Sequence, residues 1–503
     1  MTASPSTPGT VPEAMLIIDL TQTDLPPTTP VYVYVVGLVQ TPTGEVYYRL
    51  DQNFMPQPMS PAAPDPNAGK PGNVPPQSPD NSQAAGTFPD MGTLSSAAQT
   101  ALAANYPLAW ADWSIPVTVG SNLVLCLGNI NTTNMPGLGT GTAAFSARVY
   151  VSVGVPRLPF SVSTDAKTGA VNGYTAPVFG NGTGVGGAMT LFDWIEFSYD
   201  SEGNFNGNTT QVNQFGFPLY LSGVNTAGTA TALQGVMAQS RADIMASVAN
   251  LPAPFSAANS LVPVDAAAAE AYPAGVTHLR ALAPDEISQA NDTLSQWFAS
   301  TVTAAYQAWQ STPVQVTDVS SGTYTGICMP LAQYPQLGPP PGYTYGAIAF
   351  YEGSYPTQEA FVTAFPGNPA PAPAFWIGPI GSDDIWQCGG SLAQGSTAQK
   401  NIGKILAAAF NRGRVIKADG TVRTAFTDAD CSGDAADFYE AGTVFNPWAA
   451  LFHGVNANGL SYAFAYDDVC DQSTSIPAQG QTLQAASIRI ALGPFFTAGV
   501  QAA

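Results

Sequence analysis

Residues 191–220, LFDWIEFSYDSEGNFNGNTTQVNQFGFPLY, limit the fold more than any other stretch, because two strand-like runs flank a polar turn. The period of two puts Leu191, Asp193, Ile195, Phe197 and Tyr199 on one face. Phe192, Trp194, Glu196, Ser198 and Asp200 fall on the other. Ser201, Glu202, Gly203, Asn204, Asn206 and Gly207 supply the turn, being residues that accept tight or left-handed backbone. The second run continues past Val212, with Gln211 and Asn213 facing the opposite way, and stops at Pro218. A hairpin is expected, and it would bring Glu196 near Asn213 across the ladder.

Similar short runs fill the first half of the chain. Residues 15–20, 31–39 (VYVYVVGLV), 45–50, 108–115, 122–127, 144–153 and 158–162 are β-branched and aromatic. Proline and small polar residues dominate 55–96, which is expected to be an extended, poorly ordered insertion: a surface loop, or a wall over a cleft. GNGTGVGG at 180–187 lacks a phosphate-loop lysine and reads as a loop. After residue 224 the pattern changes. Residues 229–250, 285–311 and 397–411 have helical spacing, 314–329 and 345–350 read as strands, and 487–492 as a closing strand. The expected fold is mainly β with an α/β part. A β-sandwich or barrel domain (14–225) is interrupted by a mixed α/β domain (226–445), and strands at 446–500 return to the first sheet.

Composition removes several classes of function. The formal net charge is −20, from 34 acidic and 14 basic residues, which argues against a phosphate-binding surface for nucleic acid and equally against an anionic membrane. No stretch is long and apolar enough to span a bilayer. Only 10% of residues are charged, so Ser, Thr, Asn, Gln and Gly must carry the surface, as expected of a secreted or cell-surface protein. No secretory signal is visible after Met1. The five cysteines are widely spaced and only His278 and His453 offer imidazoles, so neither a zinc site nor a histidine-based triad is expected.

Glu196 is the strongest candidate for chemistry. It lies in an aromatic strand, opposite the face of Ile195 and Phe197. Such a glutamate is either a solvent-facing residue on a half-exposed sheet or a general acid in a groove, where burial raises its pKa toward the working pH.

WIEFSYD (194–200), GNTTQVNQFGFPLYL (207–221), AAFNRG (408–413) and HGVNANGLSYAFAYDDVCDQST (453–474) resemble, in order and spacing, glycoside hydrolase family 64. These are laminaripentaose-producing β-1,3-glucanases with a thaumatin-like fold. The resemblance runs over roughly 15–500. It implies a thaumatin-like β domain beside an α/β domain, with a broad groove for a β-1,3-glucan or related long polysaccharide. It also implies endo action with inversion, and needs no metal or organic cofactor. A monomer is expected.

The family's catalytic glutamate falls on Glu196, while its second carboxylate falls on Asn213. A carboxamide cannot act as a base, and inversion needs both an acid and a base. Three readings follow: an inactivated enzyme, a β-glucan-binding protein, or a hydrolase, of this or another glycan, using another carboxylate. Asp200 lies about 13 Å along the strand from Glu196, beyond the roughly 6.5–9.5 Å of an inverting pair. Glu202, Asp467 and Asp468 are the alternative bases. Trp194, Tyr199, Tyr462 and Tyr466 are candidates to pack on sugar rings, and Thr209, Gln211 and His453 to bind hydroxyls. Each of these aromatics could instead belong to a core.

Overall fold

The computed structural model describes residues 14–139, 143–177, 186–235, 237, 239–255, 257–288, 291–329, 346–364, 372–428, 437–478 and 481–496. Its first part is a twelve-stranded curled sheet. Across it run Pro56–Pro58, Gly44–Leu50, Val31–Thr41, Phe145–Val153, Leu191–Tyr199, Asn204–Thr209, Leu483–Leu492, Met15–Asp19 and Asn122–Cys126. Leu219–Asn225 also pairs with Leu483–Leu492. The Met15–Asp19 pairing with Leu483–Leu492 is parallel. The late strand therefore joins the earliest one, as the sequence suggested for residues 487–492.

The second part packs helix Thr397–Asn411 against a five-stranded sheet in the order Phe375–Ile377, Ala347–Glu352, Gly322–Met329, Val314–Asp318 and Ala425–Thr427. The chain is thus a β domain interrupted by a mixed α/β region.

Alternation along Leu191–Tyr199 separates two cores. Leu191, Ile195, Phe197 and Tyr199 join the main core, with Val33, Val35, Phe145 and Ile488. Phe192 and Trp194 point the other way, into a smaller cluster with Tyr34, Tyr150, Trp113 and Phe160. Each large side chain so buried contributes about 1.5–3 kcal/mol.

The segment 55–96, expected to be poorly ordered, is instead laid onto this outer face. Pro56–Pro58 adds an edge strand, Met59 enters the smaller core, and Asn81 exchanges two hydrogen bonds with Val162. Its backbone groups find partners on neighbouring segments, which composition alone does not reveal.

Other elements also differ from the pattern. In place of a continuous strand over 108–115, Trp110 bridges Gln83, Ala111 bridges Phe160, and a strand forms only at Ile115–Val117, while the Trp110 and Trp113 side chains are buried. The helix expected over 229–250 covers only Arg241–Ala249, behind a Ser240–Asp243 capping box. Residues before it bond the open edge of Leu219–Asn225, with Leu221 and Gln234 exchanging both backbone bonds. The helix expected over 285–311 is broken into Pro284–Ser288, Asp292–Ser295 and Ala299–Trp309. The Asn291 side chain caps the second piece, and Ser382 takes the Phe298 N–H before the third. The returning segment carries a helix, Pro447–Val455, as well as strands.

Candidate active site

Where the smaller core ends, the outer face of the sheet opens. Register places Val36, Arg148, Glu196 and Asn208 side by side on four strands, with Leu38, Ser146, Ser198 and Asn206 in the next row. Leu38, Arg148, Tyr174, Glu196, Ser198 and Asn208 are among the residues lining a cavity of about 370 Å³. Among the described residues, Glu196 is the only carboxylate in that lining. The hairpin Ser161–Thr164 and Val171–Thr175 sets Tyr174 as one wall.

Glu196 is not a desolvated acid in an apolar pocket. Its side chain is 37% exposed and its Oε1 lies 2.7 Å from the Arg148 guanidinium. Arg148 Nε donates to the same oxygen, and the guanidinium packs over the Trp194 ring. Burial opposes the Arg148 charge, but the neighbouring Tyr150 and Glu196 outweigh it, and its pKa is raised. Arg148 was not singled out from the sequence. A lone arginine in the apolar strand FSARVYVSV was the available signal.

The hairpin register differs from the expectation. Asn208, not Asn213, lies opposite Glu196. Asn213 follows the end of that strand and contacts the start of helix Pro284–Ser288. Its Nδ2 donates to Glu286 Oε1 at 2.7 Å and, at 3.5 Å, approaches Asp285 Oδ2. Its carbonyl accepts from the Ala283 N–H. Burial, then the neighbouring Glu286 charge, pushes the Asp285 carboxyl up to about 8. Burial also raises Glu286, against the hydrogen bond from Asn213. Asp285 and Glu286 were read only as a helix start, because nothing in their local sequence announces a long-range partner.

The other candidates separate by burial. Glu202 is an exposed turn residue, and Asp200 organises that turn by accepting from Glu202 and Asn204. Asp467 is fully buried and bound by Arg412, His453 and the Ala463 N–H, so neither sugar nor solvent reaches it. Asp468 is half-buried. Its Oδ1 is buried with no hydrogen-bond partner among the described residues, and burial raises its pKa. Burial likewise raises the Tyr462 phenol, and the charges of Asp468 and then Glu196 add to the effect.

Several expected sugar contacts are enclosed. Trp194 is 1% exposed and covered by Arg148 and neighbouring aromatics. Tyr199 belongs to the main core. Thr209 bonds Thr474, and Gln211 is held by Ser461, Tyr462 and Trp448. His453 is buried, with its ring nitrogens facing Gly459 O and Asp467. These side chains look sugar-binding in one dimension, but the packing of two segments removes them from solvent. Tyr466 is 43% exposed and Tyr462 partly so.

An open row of hydroxyls and amides around one carboxylate, on a curled sheet joined to an α/β part, is an arrangement suited to carbohydrate. The family model for glycoside hydrolase family 64, described as beta-1,3-glucanase, matches residues 101–332 and 379–487. That is more than half of the chain, and the chain belongs to this family. It is accordingly a glycan-hydrolase-like or glycan-binding protein.

Two solved structures share the fold. One is a laminaripentaose-producing beta-1,3-glucanase in complex with laminaritetraose: 18% identity, TM-score 0.62, covering 96% of this chain and 99% of that one. The other is a beta-1,3-glucanase domain from Clostridium beijerinckii: 20% identity, TM-score 0.61, covering 97% and 100%. No curated protein matches.

Proposed function

We propose that this protein hydrolyses β-1,3-glucan, acting within the chain and with inversion, and that Glu196 donates the proton to the leaving glycosidic oxygen. The observation that carries this is the position of Glu196, a carboxylate lining the polar cavity on the open face of the sheet. Ser146, Ser198, Asn206 and Asn208 supply neutral partners for hydroxyls, and Tyr174 an aromatic wall. The complex of a structurally similar glucanase with laminaritetraose supports a glucan as ligand. Arg148 holds Glu196 in one rotamer at the floor, so bound glucan has to displace this ion pair for the carboxyl to carry the proton it donates.

Incubation with laminarin followed by product analysis tests the reading. Glu196→Gln should lose at least about 100-fold in turnover, the scale of general acid catalysis. Unchanged turnover in that variant would sink it.

A second reading is glucan binding without cleavage. Asn213 favours it, because the amide at that position cannot accept a proton from water. Retention of the protein on insoluble β-1,3-glucan with no release of sugar would select this reading.

A further inference from the structure

We propose that the cavity between helix Arg241–Ala249 and strand His278–Leu282 binds a small monocarboxylate with an apolar body, acyl or aryl, through Arg241. This cavity shares no lining residue with the one at Glu196, and the inference does not depend on the hydrolase reading.

The cavity holds about 220 Å³, and its wall includes Arg241, Met245, Leu261, His278, Phe495 and Phe496. That is the space of about seven waters. It falls below the roughly 300–1,000 Å³ of sites for drug-sized ligands, so a single ring or a short chain fills it.

The wall is fixed by the fold. Asp24 accepts from the Phe495 and Phe496 N–H groups at 2.6 and 3.0 Å. The Arg241 and Ala242 N–H groups donate to Pro494 O and Phe495 O. Strand Leu261–Pro263 pairs with His278–Leu282 to close the opposite side.

Arg241 supplies the charge, although it is only 4% exposed. Its Nε donates to Gly216 O at 2.6 Å, and its Nη2 to the His278 and Leu279 carbonyls at 2.5 and 3.1 Å. Among the described residues, Nη1 has no hydrogen-bond partner and the guanidinium has no ion pair. Nη1 is the donor left to face the cavity that Arg241 lines. Burial lowers the Arg241 pKa to about 9, against the pull of the Asp193 charge. The group is therefore still a cation at neutral pH, and it is short of a counter-charge. His278 adds none, because burial and then the Arg241 charge lower its own pKa.

A carboxylate at Nη1 would supply the missing charge through a charge-assisted hydrogen bond. Its apolar body would displace water from Met245, Leu261 and the two phenyl rings. The hydroxyls of a sugar would instead meet a mostly apolar wall.

The test titrates the full chain by calorimetry with phenylacetate and hexanoate, each beside its amide, and with acetate. At least one of the two carboxylates should bind at one site, about tenfold or more tighter than its amide and than acetate, because charge and apolar body both count. The tighter of the two tells aryl from acyl. Ala246 lines the cavity from the exposed side of the helix, so Ala246→Trp should fill it and abolish binding with an unchanged circular dichroism spectrum. Arg241→Met should remove the preference for carboxylate over amide. If that variant does not fold, the amide comparison in the parent still decides the role of charge. Equal affinity for carboxylates and amides overturns the proposal, as does parent-like binding in Ala246→Trp. No binding of either carboxylate also overturns it, and displacement of a bound carboxylate by glucose would mark a sugar subsite in its place.

Discussion

Asp467→Ala separates a structural carboxylate from a catalytic one. Asp467 is 0% exposed and accepts from Arg412 at 2.9 Å, His453 at 2.9 Å and the Ala463 N–H at 3.0 Å. Arg412 is itself 1% exposed, and its remaining neighbours include the Phe438 and Phe464 rings. Removing the carboxylate strands a buried guanidinium, which costs about 3–5 kcal/mol. That is a large share of the roughly 5–15 kcal/mol by which folded domains are stable. Urea unfolding followed by circular dichroism and tryptophan fluorescence reads the loss as a fall in midpoint. Replacing both partners, as Asp467→Leu with Arg412→Met, should recover most of it, because no uncompensated charge remains. The folded fraction of Asp467→Ala, assayed on laminarin well below its midpoint, should keep turnover close to the parent's. A variant with the parent's midpoint and no turnover would refute the reasoning and return Asp467 to the chemistry.

Trp194→Ala should destabilise by about 3–5 kcal/mol, with any loss of glucan affinity following the unfolding, while Trp194→Phe keeps binding; calorimetry and pull-down on the same samples check this. Asp285 contributes a pH dependence with a definite sign: its folded pKa, about 8, lies above its ordinary 3.8, so its stabilising contribution is complete below about pH 3.8 and is lost as pH rises through about 8. Asp285→Asn should therefore flatten the decline of the thermal midpoint between those values, and an unchanged slope would contradict the assignment. Gly216→Ala should fold poorly, because a Cβ there would lie 2.2 Å from Phe192 O and push its N–H off Asp193 Oδ2. Glu202→Gln should leave laminarin turnover unchanged, since its side chain lies in an exposed turn.

Periodicity by itself determined the two faces of residues 191–199, the succession of early strands, the helix at 397–411 and the late strand that closes the first sheet. Each is a short-range property: side chains alternate along a strand and repeat about every 3.6 residues along a helix whatever lies beyond them. The order and spacing of the motifs at 194–200, 207–221, 408–413 and 453–474 suggested the family. Tertiary structure decided which polar residues remain reachable. Trp194, Tyr199, Gln211 and Asp467 sit in motifs that look functional, yet distant segments bury them. Arg148 meets Glu196 through cross-strand register, 48 residues apart, and Glu286 meets Asn213 across 73 residues. Encounters of that range depend on how separate strands and loops pack, and no local pattern in a single chain encodes them.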